Sequence, residues 1–238
     1  MPLPVQPYRT IKIGAAPMEG VTDFPMRLWL CHTSAPDYTA TPFLRATPGF
    51  PKRAIPTDFF PEGTWLKHNL KTPCLPQVMA AANDPFLRAA EKFRVYTDAL
   101  DINCGCPAPT VIGRGAGSSL LATPESFARR IAALARELGG EFFGVKMRTG
   151  FDHDDDYPAL IGGLAGIKLR RLTIHGRTKT QGYKGQASWD NIRLAAKNLQ
   201  PQTPAVASGD VVSPSSLAAK LAAAPEVSEV IVGRGLLR

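Results

Sequence analysis

Eight short runs of β-branched and apolar residues punctuate residues 11–233, with longer segments of helical spacing between them. The runs are 11–18 (IKIGAAPM), 38–44 (YTATPFL), 73–80 (PCLPQVMA), 99–104 (ALDINC), 142–148 (FFGVKMR), 171–175 (RLTIH), 204–208 (PAVAS) and 229–233 (EVIVG). Among the intervening segments, 124–138 (PESFARRIAALAREL) is the clearest helix, with Thr123 as N-cap and Gly139 closing its end. Residues 84–95 open with Asp-Pro and 213–224 with Ser-Pro, a capping residue followed by proline in the first turn. Eight strands alternating with helices at this length predict an α/β fold, a TIM (β/α)8 barrel. An open doubly wound sheet usually has fewer strands and a glycine-rich first turn. The first turn here is Pro17-Met18-Glu19-Gly20, which is no dinucleotide fingerprint.

The sequence predicts a proline-rich extension over 1–10 and a barrel over 11–238, truncated after the eighth strand because Arg238 follows it directly. Without an eighth helix, an apolar face of that strand is expected to stand exposed, at a cost of roughly several kcal/mol by area, unless something else covers it. No run approaches the roughly 18 apolar residues of a membrane span, and the N-terminus lacks the apolar stretch of a signal peptide, so a cytoplasmic protein without membrane contact is expected. Four cysteines (Cys31, Cys74, Cys104, Cys106) are too few for a disulfide framework in a chain of 238 residues. Lys and Arg number 28 against 20 Asp and Glu, a net charge of +8 that favours polyanionic partners, nucleic acid above all.

In an α/β barrel the active site lies at the C-terminal ends of the strands. Those ends carry Met18 and Glu19, Gln77, Asn103 with the two cysteines, Lys146 and Arg148, His175 and Arg177, Ser208-Gly209-Asp210, and Gly233-Arg234. One lysine or histidine at a strand end is usually structural, whereas seven polar ends converging on one mouth form a site. Lys146 sits inside the apolar stretch GVKM, where a charge is costly unless an anion meets it. Glycines ending the seventh and eighth strands leave backbone N–H groups free to approach a phosphate. Together these imply a phosphorylated cofactor across the mouth.

Two weaker patterns carry less. Residues 152–156 (DHDDD) start like a calcium loop, but Tyr157 stands at its sixth position and Gly163 at its twelfth, which leaves a solvated acidic loop and no metal site. Residues 113–118 (GRGAGS) lack the last glycine of a phosphate fingerprint and are expected to form a flexible loop above the mouth, with Arg114 available to a phosphate.

Cys104 and Cys106 stand two apart with Gly105 between them and Pro107 after them. Zinc needs four ligands and no second cysteine pair exists; a disulfide across one residue is strained. Glycine and proline mark the strand's end, so Cys104 is expected to pack in the barrel and Cys106 to face the mouth, where a thiol can deliver a proton.

Five motifs, APMEGVTD at 16–23, INCGCP at 102–107, VKMRTG at 145–150, IHGRTKTQGY at 174–183 and VGRG at 232–235, together resemble the tRNA-dihydrouridine synthases in order and spacing. Within that family, NCGCPAPTVIGRGAGSSLL is most similar to the bacterial C-type subgroup. The resemblance implies an FMN enzyme on a TIM barrel that uses NADPH to reduce the C5–C6 double bond of a uridine in the tRNA D-loop. It implies that Cys106 is the proton donor, that Asn103 holds the uracil edge with help from Arg148, and that Lys146, His175 and Gln77 contact the flavin. Pro17, Met18 and Glu19 would form the first flavin-binding turn. Ser208, Gly209, Asp210, Gly233 and Arg234 would hold the phosphate, and Arg177, Lys179 and Tyr183 would meet the tRNA. The family usually has asparagine where Ser208 stands, and a barrel lacking the family's C-terminal helical tRNA-binding domain is expected. A monomer is expected. Competing readings are an FMN barrel acting on free pyrimidines and a truncated barrel without activity.

Overall fold

A computed structural model describes residues 11–33, 36–49, 55–64, 70 and 72–237; the extension expected over 1–10 lies outside them. Eight parallel strands close into one barrel in chain order: β1 (Lys12–Ala15), β2 (Tyr38–Arg45), β3 (Cys74–Met79), β4 (Leu100–Cys104), β5 (Phe143–Arg148), β6 (Leu172–His175), β7 (Ala205–Ser208) and β8 (Glu229–Val232). Around it lie α1 (Phe24–Thr33), α2 (Phe86–Phe93), α3 (Pro109–Ile112), α4 (Pro124–Leu138), α5 (Tyr157–Leu164), α6 (Trp189–Leu199) and α7 (Pro214–Ala223). β1 and β8 close the ring in register from Lys12↔Glu229 to Ala15↔Val232. Each expected strand is present. β1 stops at Ala15 because Met18 turns back on itself, its N–H donating to Thr22 Oγ1 at 2.7 Å.

Alternation along each strand sorts its residues to two faces. Ile102, Cys104, Val145, Met147, Leu172 and Ile174 are buried in the main apolar cluster with the helices. α4 shows why: Phe127, Ala128, Ile131, Leu134 and Leu138 recur along one face and join that cluster with Phe86 and Phe93 of α2. Val230 and Val232 of β8 belong to it as well, with Ile13, Leu217, Leu221 and Leu236 packed against it. The outer side of β8 is therefore buried, so of the two outcomes the sequence left open the covered one holds.

The helix starts need two corrections. Thr123 is the N-cap residue of α4 by position but makes no side-chain bond there. Asp84 does not cap α2 either; its carboxylate accepts from the Ala81 N–H at 2.8 Å, and the helix begins after Pro85. Ser213 caps α7 as expected, accepting from Ser216 N–H while Ser216 Oγ accepts from Ser213 N–H. Gly139 closes α4 at φ 77°, a backbone conformation that suits glycine.

The barrel floor is charged. Arg171, just before β6, donates to Asp101 of β4 at 3.0 Å and Glu229 of β8 at 2.9 Å, and its guanidinium carbon lies 4.6 Å from the Tyr38 ring centre. These strands are not neighbours, so the groups meet only inside the barrel. Glycine makes the room: a Cβ on Gly144 would fall 2.4 Å from Asp101 Oδ1, and one on Gly14 2.2 Å from the Tyr38 ring. Asp101→Ala leaves Arg171 with only the partly exposed Glu229 and is expected to cost about 3–5 kcal/mol, read as a lower urea midpoint at unchanged slope. A loss under about 1 kcal/mol would show that the floor does not depend on this pair.

Candidate active site

The C-terminal ends of the strands surround a cleft of about 290 Å³, at the low edge of the roughly 300–1,000 Å³ usual for small-molecule sites. Pro17 and Met18 line it from β1, Lys146 from β5, His175, Arg177 and Tyr183 from β6 and its loop, Ser208, Gly209 and Asp210 from β7, and Gly233 and Arg234 from β8. Glu19 stands exposed in the turn beyond β1. Gln77, Asn103, Cys106, Arg148 and Lys179 do not line this cleft; Gln77 and Asn103 lie within β3 and β4, Arg148 ends β5, and Cys106 and Lys179 follow β4 and β6. Thr22, not marked by any sequence signal, holds the first turn by accepting from Met18 N–H and donating to Met18 O.

Positive charge dominates. Lys146, Arg148, Arg177 and Arg234 all act on His175, whose imidazole is pushed down to about 2, first by burial and then by those cations. It is therefore neutral at any working pH. Burial, then the charge of Arg148, lowers Lys146 to about 8, against a weak opposing pull from Asp101. An unfolded lysine titrates near 10.4, so charging Lys146 opposes folding below pH ~8, and the penalty fades as pH rises from there to ~10.4. A bound anion reverses that sign.

Two of the four cations are anchors. Arg177, expected on the tRNA-facing loop, is 3% exposed and donates to Lys184 O, Gly185 O and Asp210 Oδ1. Burial alone would raise the Asp210 carboxyl, but the Ala187 N–H and Arg177 hold it below the usual range. Asp210 is thus spent on Arg177 and Ala187, leaving the backbone of Gly209 and Gly233 beside the cleft. Arg148 is 2% exposed and donates to Gly105 O, Thr178 O and Gly182 O, tying the β4, β5 and β6 ends together. Tyr183, 60% exposed, has the Arg234 guanidinium 4.7 Å from its ring centre, and Lys179 sits over Phe151.

All four cysteines are free. Cys104 packs among the outer apolar residues as expected, its thiol pushed up to about 12 by burial. Cys106 is half-buried beyond the end of β4. Asn103 Oδ1 accepts from the N–H groups of both Gly105 and Cys106 at 3.0 Å, and its Nδ2 donates to Gln77 Oε1 at 2.7 Å. The glycine-rich loop is fastened to Cys106 through Ser118, and Arg114 is exposed and does not line the cleft. In the acidic loop, Asp152 and Asp154 accept from Thr180 and Asn191. Among the described residues no cluster of His, Cys, Asp or Glu is set to hold a metal, and no helix is long and apolar enough to cross a membrane.

The donor set fits a phosphorylated, anionic group. Cations outnumber carboxylates around the cleft, its one acid is already paired, and Gly209 and Gly233 leave backbone accessible. Gln77 Nε2, buried and without a partner, is a further donor inside the barrel. Because burial, and then the surrounding cations, disfavour the charged imidazole, the ring carbons of His175 are expected to show no titration between pH 5 and 8 by NMR, while an ordinary histidine shows a midpoint near ~6.5. A His175 midpoint between pH 5 and 7 would contradict this buried, cationic setting.

The dihydrouridine synthase family model matches residues 14–238. A tRNA-dihydrouridine(16) synthase of Neisseria meningitidis is 34% identical over 218 residues, 87% of this chain and 63% of that protein. The tRNA-dihydrouridine synthase B of Proteus vulgaris is 34% identical over 204 residues, covering 84% of this chain and 60% of that protein. The chain thus spans less than two thirds of the length of these two relatives. Among solved structures, the old yellow enzyme of Trypanosoma cruzi superposes with a TM-score of 0.63 at 10% identity over 93% of this chain and 84% of that one. DHODH from Eimeria tenella gives 0.62 at 13% over 95% and 76%; both likenesses concern the fold alone. With the family model matching nearly its whole length, the chain belongs to the dihydrouridine synthase family.

Proposed function

We propose that residues 11–238 form the FMN-binding catalytic barrel of a tRNA-dihydrouridine synthase, a flavin-dependent oxidoreductase. It would reduce the C5–C6 double bond of a D-loop uridine with NADPH, acting in the cytoplasm as a monomer. The observation that carries this reading is the cluster of cations around a neutral His175, in a chain that belongs to this family. The net charge of +8 supports tRNA as partner, with affinity that falls as salt rises.

FMN held in the cleft would supply the hydride chemistry that links NADPH to the uracil double bond. Lys146 stabilises negative charge on the flavin ring, and neutral His175 offers a hydrogen bond there without adding charge. Ser208, the backbone of Gly209 and Gly233, and Arg234 hold the phosphate, where Ser208 replaces the family's usual asparagine and so changes one hydrogen bond. Pro17 and Met18 border the cofactor from β1. The target uridine must leave its stack, and exposed Tyr183 offers an aromatic face to it. Cys106 Sγ–H donates its proton to C5, which completes saturation of the bond. The thiolate then regains a proton from solvent. The thiol, not the thiolate, is the form that can deliver a proton, as a general acid must.

The test incubates the chain with FMN, NADPH and unmodified tRNA and counts dihydrouridine by mass spectrometry. Formation by the unsubstituted chain, lowered about 10²–10⁴-fold by Cys106→Ala, is the expected result. Equal activity in the two would refute the acid role. Turnover of free uracil or orotate with none on tRNA would refute the substrate.

A further inference from the structure

We infer that Asn103 and Ser118 are positioning residues for Cys106: together with Arg148 they clamp the two peptide groups flanking it, from β4, from the loop that follows β4 and from the end of β5. This rests on Cys106 being the proton donor. Its N–H and that of Gly105 both donate to Asn103 Oδ1 at 3.0 Å. Its carbonyl accepts from Ser118 N–H at 3.1 Å and Ser118 Oγ at 2.9 Å. The carbonyl of Gly105 accepts from Arg148 Nε at 2.9 Å. Backbone on both sides of the thiol is thereby fixed, and rotation about its own Cα–Cβ bond is the freedom left to the side chain.

The clamp is itself held. Because Asn103 Oδ1 receives two N–H groups, its amide cannot turn over without setting NH₂ against them, and Nδ2 must face Gln77 Oε1. Gln77 is in turn tied to β2, its N–H donating to Thr41 Oγ1 at 3.0 Å. On the other side, Gly117 adopts φ 60°, and a Cβ there would fall 2.8 Å from Cys106 O, so glycine lets Ser118 reach that carbonyl. Ser118 has no exposed surface, and a buried hydroxyl is retained at such a place when it is bonded. An acid that must meet one carbon of its substrate needs this fixity, since a misplacement of about 1 Å can lower a rate roughly 10²-fold.

This assigns Asn103 a task different from gripping the uracil edge, and the two tasks read out differently. The experiment is site-resolved alkylation by N-ethylmaleimide of the cofactor-free full chain, unsubstituted and as Asn103→Ala and Ser118→Ala, with Cys31 and Cys104 as internal references. Release of the clamp is expected to speed alkylation of Cys106 about 10-fold in Asn103→Ala and about 3-fold in Ser118→Ala, with the reference thiols within about twofold. In tRNA assays of the FMN-loaded chain, kcat falls in both variants while KM moves less than about twofold. An unchanged Cys106 rate in both variants overturns the clamp, as does a parallel rise at Cys104 and Cys31, which reports loosening of the whole fold. If Asn103→Ala does not fold, Ser118→Ala decides alone. Absence of tRNA turnover in the unsubstituted chain refutes the proposed function and leaves the alkylation result to judge the clamp.

Discussion

A lysine ammonium at the mouth end of an apolar strand is the constraint around which this barrel is organised. Lys146 has Val145 and Met147 as buried neighbours in β5, and its charge acts on His175 at the mouth and is opposed by that of Arg148. Among the described residues no cleft-lining carboxylate is free to neutralise it, because Asp210 is taken by Arg177. Charge is concentrated where a barrel presents its site, and the arrangement becomes favourable when an anion enters. The opposite end is built the other way: Arg171 is fully matched by Asp101 and Glu229, and the floor is closed by ion pairs and a tyrosine ring. One end of the barrel is satisfied, and the other is poised to bind.

The loops at the mouth are held by buried arginines whose partners are backbone carbonyls. Arg148 reaches Gly105, Thr178 and Gly182; Arg177 reaches Lys184 and Gly185. Such bonds satisfy carbonyls that lie outside any sheet ladder, so irregular segments can be buried and rigid at once. The consequence for chemistry is that cation, neutral imidazole and thiol sit on one connected frame. That frame extends from Gln77 through Asn103 and Cys106 to Ser118.

Much of this was legible in the sequence. Apolar runs located all eight strands because both faces of a barrel strand are buried. The spacing of Phe127, Ile131, Leu134 and Leu138 located α4, and the position of Lys146 within GVKM already demanded an anion. The burial of Arg148 and Arg177 was not legible: basic residues at strand ends and in the loops beyond them read as solvent-exposed, and the carbonyls that hold Arg148 lie 30 or more residues away. Thr22 and Ser118 were missed because a hydroxyl's role depends on which backbone group folding brings to it. The floor triad joins residues up to 70 apart in the chain and leaves no local pattern beyond Gly14 and Gly144. The capping roles expected for Thr123 and Asp84 failed because local propensity yielded to other partners or to none.

The central claim is that the cationic mouth is built for an anionic flavin, and titration of the cofactor-free chain with FMN, followed by flavin fluorescence, tests it most directly. Saturable one-to-one binding is predicted, weakening with salt and as pH rises through about 8, where Lys146 loses its proton. Lys146→Met should bind at least about tenfold more weakly and lose the pH step. No binding, or binding indifferent to pH, salt and Lys146, would contradict the account.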